Sequence, residues 1–308
     1  MYTKILVPLD GSDVAECVLP HVEAIATKND AVQATFLYVV SPLDVPMVDS
    51  EFKARIESMA KSAAEDYINR VVGKLEYKER AHSQVILGKA ADSILDYAQE
   101  NKMDLIVMAS HGLSGVGRWT RGSVTDKVLH ESTVPILRIK ATAPRSPFYK
   151  AGEKMRVLVT LDGSEPAEAV LDQVQKLAGH FGTESTDVIL LRVCELFSEP
   201  HKHYPPPMPI SWEEYLKHET ERAKEICQTY LSEVEERLKQ EGLEVRSKVP
   251  VGNPAETIVD YADKNSVNLI AMSTHGRTGI SKLFLGSVAN KVMRMSLAPV
   301  LLARYSRS

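Results

Sequence analysis

Lys4-Ile5-Leu6-Val7-Pro8-Leu9-Asp10-Gly11-Ser12 returns 152 positions later as Arg156-Val157-Leu158-Val159-Thr160-Leu161-Asp162-Gly163-Ser164. A short β-branched apolar run closed by Asp-Gly-Ser reads as a buried strand leading into a turn. The stretch from Gly88 to Ile139 also returns without a gap, as Gly252 to Ala303, displaced by 164, with about two in five positions identical. Such a period is too long for a solenoid unit and suits a whole small domain. The 308 residues are therefore a tandem duplication, with one domain over 1–140, a linker over 141–154 and a second domain over 155–305. The linker carries Pro144, Ser146, Pro147 and Gly152 with little periodicity. Between the matched stretches the displacement grows by 12, so the second copy holds extra residues. The strand-like run 32–40 matches 186–194 at a displacement of 154, and the ten-residue, proline-rich stretch 201–210 accounts for the rest. Proline fixes φ and removes backbone donors, so this stretch reads as an extended surface excursion.

Within each copy, strands alternate with amphipathic helices. In the first, strands are expected over 4–9, 32–40, 83–87, 105–109 and 135–139, and helices over 13–28, 51–75, 91–101 and 123–130. The long second helix is expected to bury Ile56, Met59, Ala63, Ala64, Tyr67, Ile68 and Val71. Strands joined by helical crossovers imply a parallel sheet with helices on both faces. The fold class is α/β, with two five-stranded parallel sheets in tandem. The fifth strands, 135–139 and 299–303, are apolar and begin with proline, as an edge strand tolerates. An apolar edge invites pairing.

The composition narrows the classes of function. The chain is 44% hydrophobic and 25% charged, with a net charge of −4, which is an ordinary globular balance without the basic face of a nucleic-acid binder. No apolar stretch approaches the roughly 20 residues of a membrane span. Three widely spaced cysteines, Cys17, Cys194 and Cys227, fit a reducing compartment. A cytoplasmic protein without a membrane or nucleic-acid partner is expected.

An open parallel sheet binds ligands beyond the carboxyl ends of its strands, where strand order reverses. Two loops lie there. One follows Asp10, or Asp162 in the second copy. The other follows Ala109, or Ser273, and runs through Gly112, or Gly276, to Gly122-Ser123, or Gly286-Ser287, at a helix start. A glycine-punctuated loop feeding a helix N-terminus is suited to phosphate, because unpaired N–H groups and the helix dipole both favour an anion. The competing reading is a tight turn with a serine cap. Asp10 and Asp162 have a competing reading as Asx-turns. His111 and His275 have no suitably spaced acid or nucleophile and read as turn histidines. Lys127 and Lys291 read as solvated side chains. His201 and His203 supply too few ligands for a metal, and their prolines suit a lid or a partner-binding segment better. Cys194 reads as a small buried hydrophobe.

The spacing Ala109-x2-Gly112-x9-Gly122-Ser123, repeated as Ser273-x2-Gly276-x9-Gly286-Ser287, resembles the nucleotide-binding loop G-x2-G-x9-G-[ST] of the universal stress protein family. The resemblance covers both copies apart from the linker and the proline stretch. It implies two Rossmann-like domains whose fifth strands pair across a twofold axis, here as an internal pseudo-dimer within one chain. It also implies an adenine-nucleotide ligand, ATP or AMP, with Mg2+ as an accompanying ion. The implied binding residues are Asp10, Val40, Ala109, Gly112, Gly122, Ser123 and Val124, with Asp162, Val193, Ser273, Gly276, Gly286, Ser287 and Val288 in the second copy. The implied role is stress response through ligand-dependent conformation or assembly, with a homodimer of the two-domain chain as a further level. The first glycine of the family pattern is Ala109 in one copy and Ser273 in the other, which is harmless where φ is negative. Trp119, Thr120 and Arg121 face Leu283, Phe284 and Leu285 in the alignment, so the two sites are free to differ in affinity.

Rapid hydrolysis is not expected. The chain has no G-x4-G-K-[ST] loop, and no carboxylate or glutamine is obviously placed to orient a water. A weak ATP hydrolase of the same architecture remains an alternative, as does a ligand-free interaction module. An ATP pyrophosphatase or nucleotidyl transferase would carry a Ser-Gly-Gly-x-Asp-Ser or His-x-Gly-His signature. The corresponding place reads Leu9-Asp10-Gly11-Ser12-Asp13.

Overall fold

The computed structural model describes residues 1–43, 49–110, 124–143, 146–195, 212–274 and 285–305. The first copy runs β1 (Lys4–Leu9), α1 (Leu19–Ala26), β2 (Gln33–Val40), α2 (Ser50–Val72), β3 (Ala81–Leu87), α3 (Ala90–Glu100), β4 (Leu105–Ser110), α4 (Val124–Glu131) and β5 (Ile136–Lys140). The second repeats it as β6 (Met155–Thr160), α5 (Glu165–Phe181), β7 (Thr186–Leu191), α6 (Trp212–Gln240), β8 (Glu244–Lys248), α7 (Pro254–Lys264), β9 (Leu269–Ser273), α8 (Ser287–Met295) and β10 (Val300–Ala303).

All ten strands form one sheet in the order β3-β2-β1-β4-β5-β10-β9-β6-β7-β8. Every pairing within a copy is parallel. The two halves meet where β5 and β10 pair antiparallel, with Arg138 opposite Val300, Leu137 opposite Leu301 and Ile136 opposite Leu302. The expected pairing of fifth strands is thus present inside one chain. Side chains alternate across the sheet with a period of two. Ile5 and Val7 face α1, α2, α5 and α6, whereas Leu6 faces α3, α4, α7 and α8. Both faces are covered, which is why the central strands are apolar throughout.

Two local expectations are corrected. The first helix was expected over 13–28, but a 3-10 turn over Ala15–Val18 precedes α1. Pro20 lacks the N–H that would bond back to Glu16, so the α-helix can begin only at Leu19. In α5 the position matching Pro20 is Asp172, the one proline, Pro166, sits in the first turn beside the cap Ser164, and the helix runs unbroken for 17 residues. Met59 and Ala63 were expected on the buried face of α2 and are exposed, Met59 at 62%; Ala64, Ile68 and Val71 carry the packing. Within the segment that joins the copies, Phe148 and Tyr149 are buried in the shared core. Phe148 stacks on His21 of α1 with centroids 5.7 Å apart and meets the edge of Phe181 of α5, also at 5.7 Å. Tyr149 lies 4.4 Å from the Phe181 ring.

Cations from each half cap a helix of the other across the seam. Arg304, just beyond β10, donates from Nη1 to the carbonyls of His130 at 2.9 Å and Ser132 at 3.2 Å, at the end of α4. Lys140, which holds the same place in the first copy, donates to the carbonyls of Arg294 at 2.9 Å and Met295 at 3.3 Å, at the end of α8. Arg138, 2% exposed, donates from Nε to Ser110 Oγ at 2.7 Å and from Nη2 to the Met293 carbonyl. Burial pushes its guanidinium down to about 10. Positive charge at a helix C-terminus is favourable, and these carbonyls have no partner within their own helix. Arg304→Ala is expected to cost about 1 kcal/mol of stability in urea unfolding, with Lys140→Ala acting in the same direction on the other helix.

Two buried histidines tie α1 to its neighbours. His21 is 2% exposed, and its Nδ1 accepts from the Phe148 N–H at 3.2 Å. His180 Nε2 donates to the Ile25 carbonyl at 2.8 Å. Burial pushes His21 down to about 4 and also lowers His180, the latter opposed in part by its bond to Ile25. An unfolded histidine takes its proton near 6.5. The stability these groups contribute is therefore complete above pH 6.5 and is lost as pH falls towards 4, at most about 3 kcal/mol for His21. His21→Gln keeps an acceptor for Phe148 but does not titrate. Its unfolding free energy is expected to fall less between pH 7 and pH 4.5 than that of the wild type.

Candidate functional site

In each half the strand order reverses between the first and fourth strands, β1 beside β4 and β6 beside β9. Because the seam is antiparallel, the carboxyl ends of β1 and β6 point to opposite edges of the ten-stranded sheet. Each half therefore has its own crevice, and the two cannot share one ligand.

The first wall of each crevice is the Asp-Gly-Ser turn. Asp10 Oδ1 accepts from Ser12 N–H at 3.0 Å and Ser12 Oγ at 2.6 Å, and Ser12 Oγ accepts from Ala15 N–H at 3.1 Å. Asp162 does the same with Ser164 at 2.9 and 2.6 Å, and Ser164 Oγ caps α5 by accepting from Ala167 N–H at 3.4 Å. The Asx-turn reading of both aspartates therefore holds, and it fixes each carboxylate at the strand end. Gly11 and Gly163 adopt φ of 84° and 88°, the left-handed region where a side chain is disfavoured.

The second wall follows the fourth strand. Ala109 and Ser273 are strand residues, paired with Ile139 and Ala303, and neither has positive φ. A methyl or hydroxymethyl in place of glycine is thus accommodated. Beyond Ser273, Gly286 N–H donates to the Thr274 carbonyl at 2.8 Å, closing the loop back on the strand end. A Cβ on Gly286 would lie 3.3 Å from that carbonyl, so the close approach favours glycine. Gly286 is also the N-cap of α8, and it provides no side-chain cap. Ser287 lies in the first helical turn, not at the cap position. The first amides of α8 consequently face the carboxyl end of β9, with the positive end of the helix dipole behind them. Val288 follows in the same turn; Val124 opens α4 and is 40% exposed. Val40 closes β2 and is buried, and Val193 follows β7, half-buried. Gly112, Gly122, Ser123 and Gly276 lie outside the described residues, as do His111, His275, Trp119, Arg121, His201 and His203.

Lys127 is not simply solvated but pairs with Asp92 of α3, whereas Lys291 is exposed. Cys194 is 4% exposed, as its reading as a small hydrophobe requires, and its thiol meets that of Cys227. Among the described residues no group of three or more His, Cys, Asp or Glu could hold a metal, and no helix is long and apolar enough to cross a membrane.

The residue over the Asp-Gly-Ser turn was not anticipated from sequence. In the first copy it is Tyr38, whose hydroxyl donates to the Asp10 carbonyl at 3.3 Å and whose ring meets the edge of Tyr67 at 5.9 Å. In the second it is Arg192, with its guanidinium 4.9 Å from the Tyr230 centroid and packed against Gly163. Behind each ring the arrangement is the same. Tyr67 donates to Glu16 at 3.0 Å, and Tyr230 to Glu168 at 2.9 Å. Burial, then the carboxylate partner, raises both phenols well above the usual tyrosine range. The exchange of Tyr38 for Arg192 at a displacement of 154 was the available signal.

Comparison with known proteins identifies the family and the fold. The model of the universal stress protein family matches residues 1–140 and 154–304. A universal stress protein of Mycolicibacterium smegmatis is 24% identical over 306 residues, covering 97% of this chain and 96% of its own. One from Methanocaldococcus jannaschii is 31% identical over 142 residues, covering 46% of this chain and 83% of its own. The crystal structure of a universal stress protein from Archaeoglobus fulgidus aligns with a TM-score of 0.72 at 22% identity, covering 99% of this chain and all of the other, and so shares the fold.

The two turn glycines should respond unequally to substitution. Gly11→Ala meets only the Tyr38 ring at 3.7 Å, so the backbone strain of about 1–2 kcal/mol is the whole cost. Gly163→Ala carries the same strain and adds a Cβ only 2.6 Å from the Arg192 guanidinium, so the end of that side chain is also expected to shift from its place over Tyr230, adding the loss of that contact in urea unfolding.

Proposed function

This chain belongs to the universal stress protein family, and from that premise we propose that it binds ATP or AMP in both crevices and acts through ligand-dependent conformation or assembly. The observation that carries this reading is the α8 N-terminus. It has no side-chain cap, it is closed onto the end of β9 through Gly286, and it faces the switch point beside Asp162. Such a terminus favours a phosphate through its amides and its dipole. In this reading the amides at Gly286, Ser287 and Val288 receive phosphate, Asp162 meets the nucleoside, and Val193 and Ser273 border the base and ribose. Asp10, Val40, Ala109, Gly112, Gly122, Ser123 and Val124 take the same roles in the first copy. Mg2+ would accompany a triphosphate as a counter-ion. Nothing in the chain supplies a P-loop lysine, so the ligand is held rather than turned over rapidly. The proposed setting is the cytoplasm.

Calorimetric titration of the full chain with ATP, with and without magnesium, tests this. About two equivalents per chain are expected, one site for each helix N-terminus of this kind. Asp162→Ala is expected to weaken one site about tenfold and Asp10→Ala the other, as loss of a charged hydrogen bond implies. Absence of binding by both ATP and AMP would replace this reading with a ligand-free interaction module.

A further inference from the structure

The Arg192 guanidinium stands against the Asp162-Gly163-Ser164 turn that walls the second crevice. The residue is 9% exposed, and its Nε is buried with no hydrogen-bond partner. Among the described residues no carboxylate forms an ion pair with it. Asp162, next to Gly163, holds the N–H and hydroxyl of Ser164, and Glu168, behind the Tyr230 ring, is occupied by Tyr230 and by Arg237, the latter at 2.5 Å. The Tyr230 face at 4.9 Å offers a cation–π contact, which is a weaker compensation than an anion. A buried N–H of a charged group left without an acceptor costs stability until a partner supplies one. Its position is also specific. Both terminal nitrogens lie against Gly163, at the turn that forms one wall of the crevice. In the first copy the same place is filled by a neutral phenol with its hydrogen bond made to the Asp10 carbonyl.

We propose that Arg192 is the anion-reading residue of the second crevice. It makes that site prefer a ligand whose phosphate chain, held at one end by the α8 amides, also reaches the Asp162-Gly163-Ser164 turn beside the nucleoside, while Tyr38 leaves the first site indifferent to charge at that point. The class of ligand rests on the nucleotide reading above; the demand for an anion does not. A phosphate oxygen in the fork of Nη1 and Nη2 would supply the missing charge in bidentate geometry. The two copies then select different ligands or different charge states of one ligand.

Arg192→Tyr installs the residue that the first copy already holds at this place, so a folded variant is expected. The Nε–H resonance of Arg192, assigned in 15N spectra by its loss in this variant, reports the site directly. Pyrophosphate and ATP are each expected to shift it saturably. In calorimetry the substitution is expected to weaken ATP at one of the two sites about tenfold and to leave adenosine unchanged. A resonance that moves with neither anion, or an equal loss of adenosine and ATP binding in Arg192→Tyr, would overturn the proposal. A resonance that moves with pyrophosphate while neither ATP nor adenosine binds would uphold the anion site and overturn the nucleotide reading instead.

Discussion

The antiparallel meeting of β5 and β10 is the constraint on which the rest of the molecule depends. Each copy alone would end in an apolar strand with a row of unpaired backbone groups, an invitation to aggregation. Joining the two edges removes both at once and continues the sheet through ten strands. The side chains at the seam serve the same join. Lys140 and Arg304 reach across it in opposite directions to the last carbonyls of α8 and α4, and each helix end is completed by the copy to which it does not belong. The aromatic contacts of Phe148 and Tyr149 add a second junction away from the sheet. Since the seam is antiparallel, the crevices open on opposite edges. Communication between them would have to pass through the shared sheet and core.

Duplication with a fixed frame allows one copy to change while the other keeps its chemistry. The Tyr67–Glu16 and Tyr230–Glu168 pairs are the same device in both halves. In front of it stands a phenol in one half and a guanidinium in the other. A second exchange lies nearby. Val40 and Ala64 are buried in the first copy, and their counterparts Cys194 and Cys227 form a pair of thiols in the second. Both exchanges fall in the second copy, and the proline-rich stretch 201–210 of the sequence is also confined to that half.

Much of this architecture is legible in the sequence, because it rests on repetition and periodicity. The returning Asp-Gly-Ser strand and the gapless second match define two like halves, and apolar strands beginning near Pro135 and Pro299 indicate the paired edges. What escapes the pattern depends on single residues in three dimensions. Pro20 costs α1 its first turns although the apolar spacing continues through it. Phe148 and Tyr149 sit in a segment whose prolines signal a linker, and only the approach of His21 and Phe181 reveals why they are buried. The site residues at strand ends and helix starts follow from the repeat. Arg192 shows in the sequence only as an exchange for Tyr38, and that its Nε is buried without a hydrogen-bond partner is visible only in three dimensions.

The central claim is that two separate nucleotide crevices lie at the carboxyl ends of the first and fourth strands of each half. Hydrogen–deuterium exchange of the full chain with and without ATP tests it most directly. The account predicts slowed exchange around 10–12 and 109–124 in the first half and around 162–164 and 273–288 in the second, at opposite edges of the sheet. Protection confined to the amino ends of the strands, to the seam, or to no segment at all would contradict it.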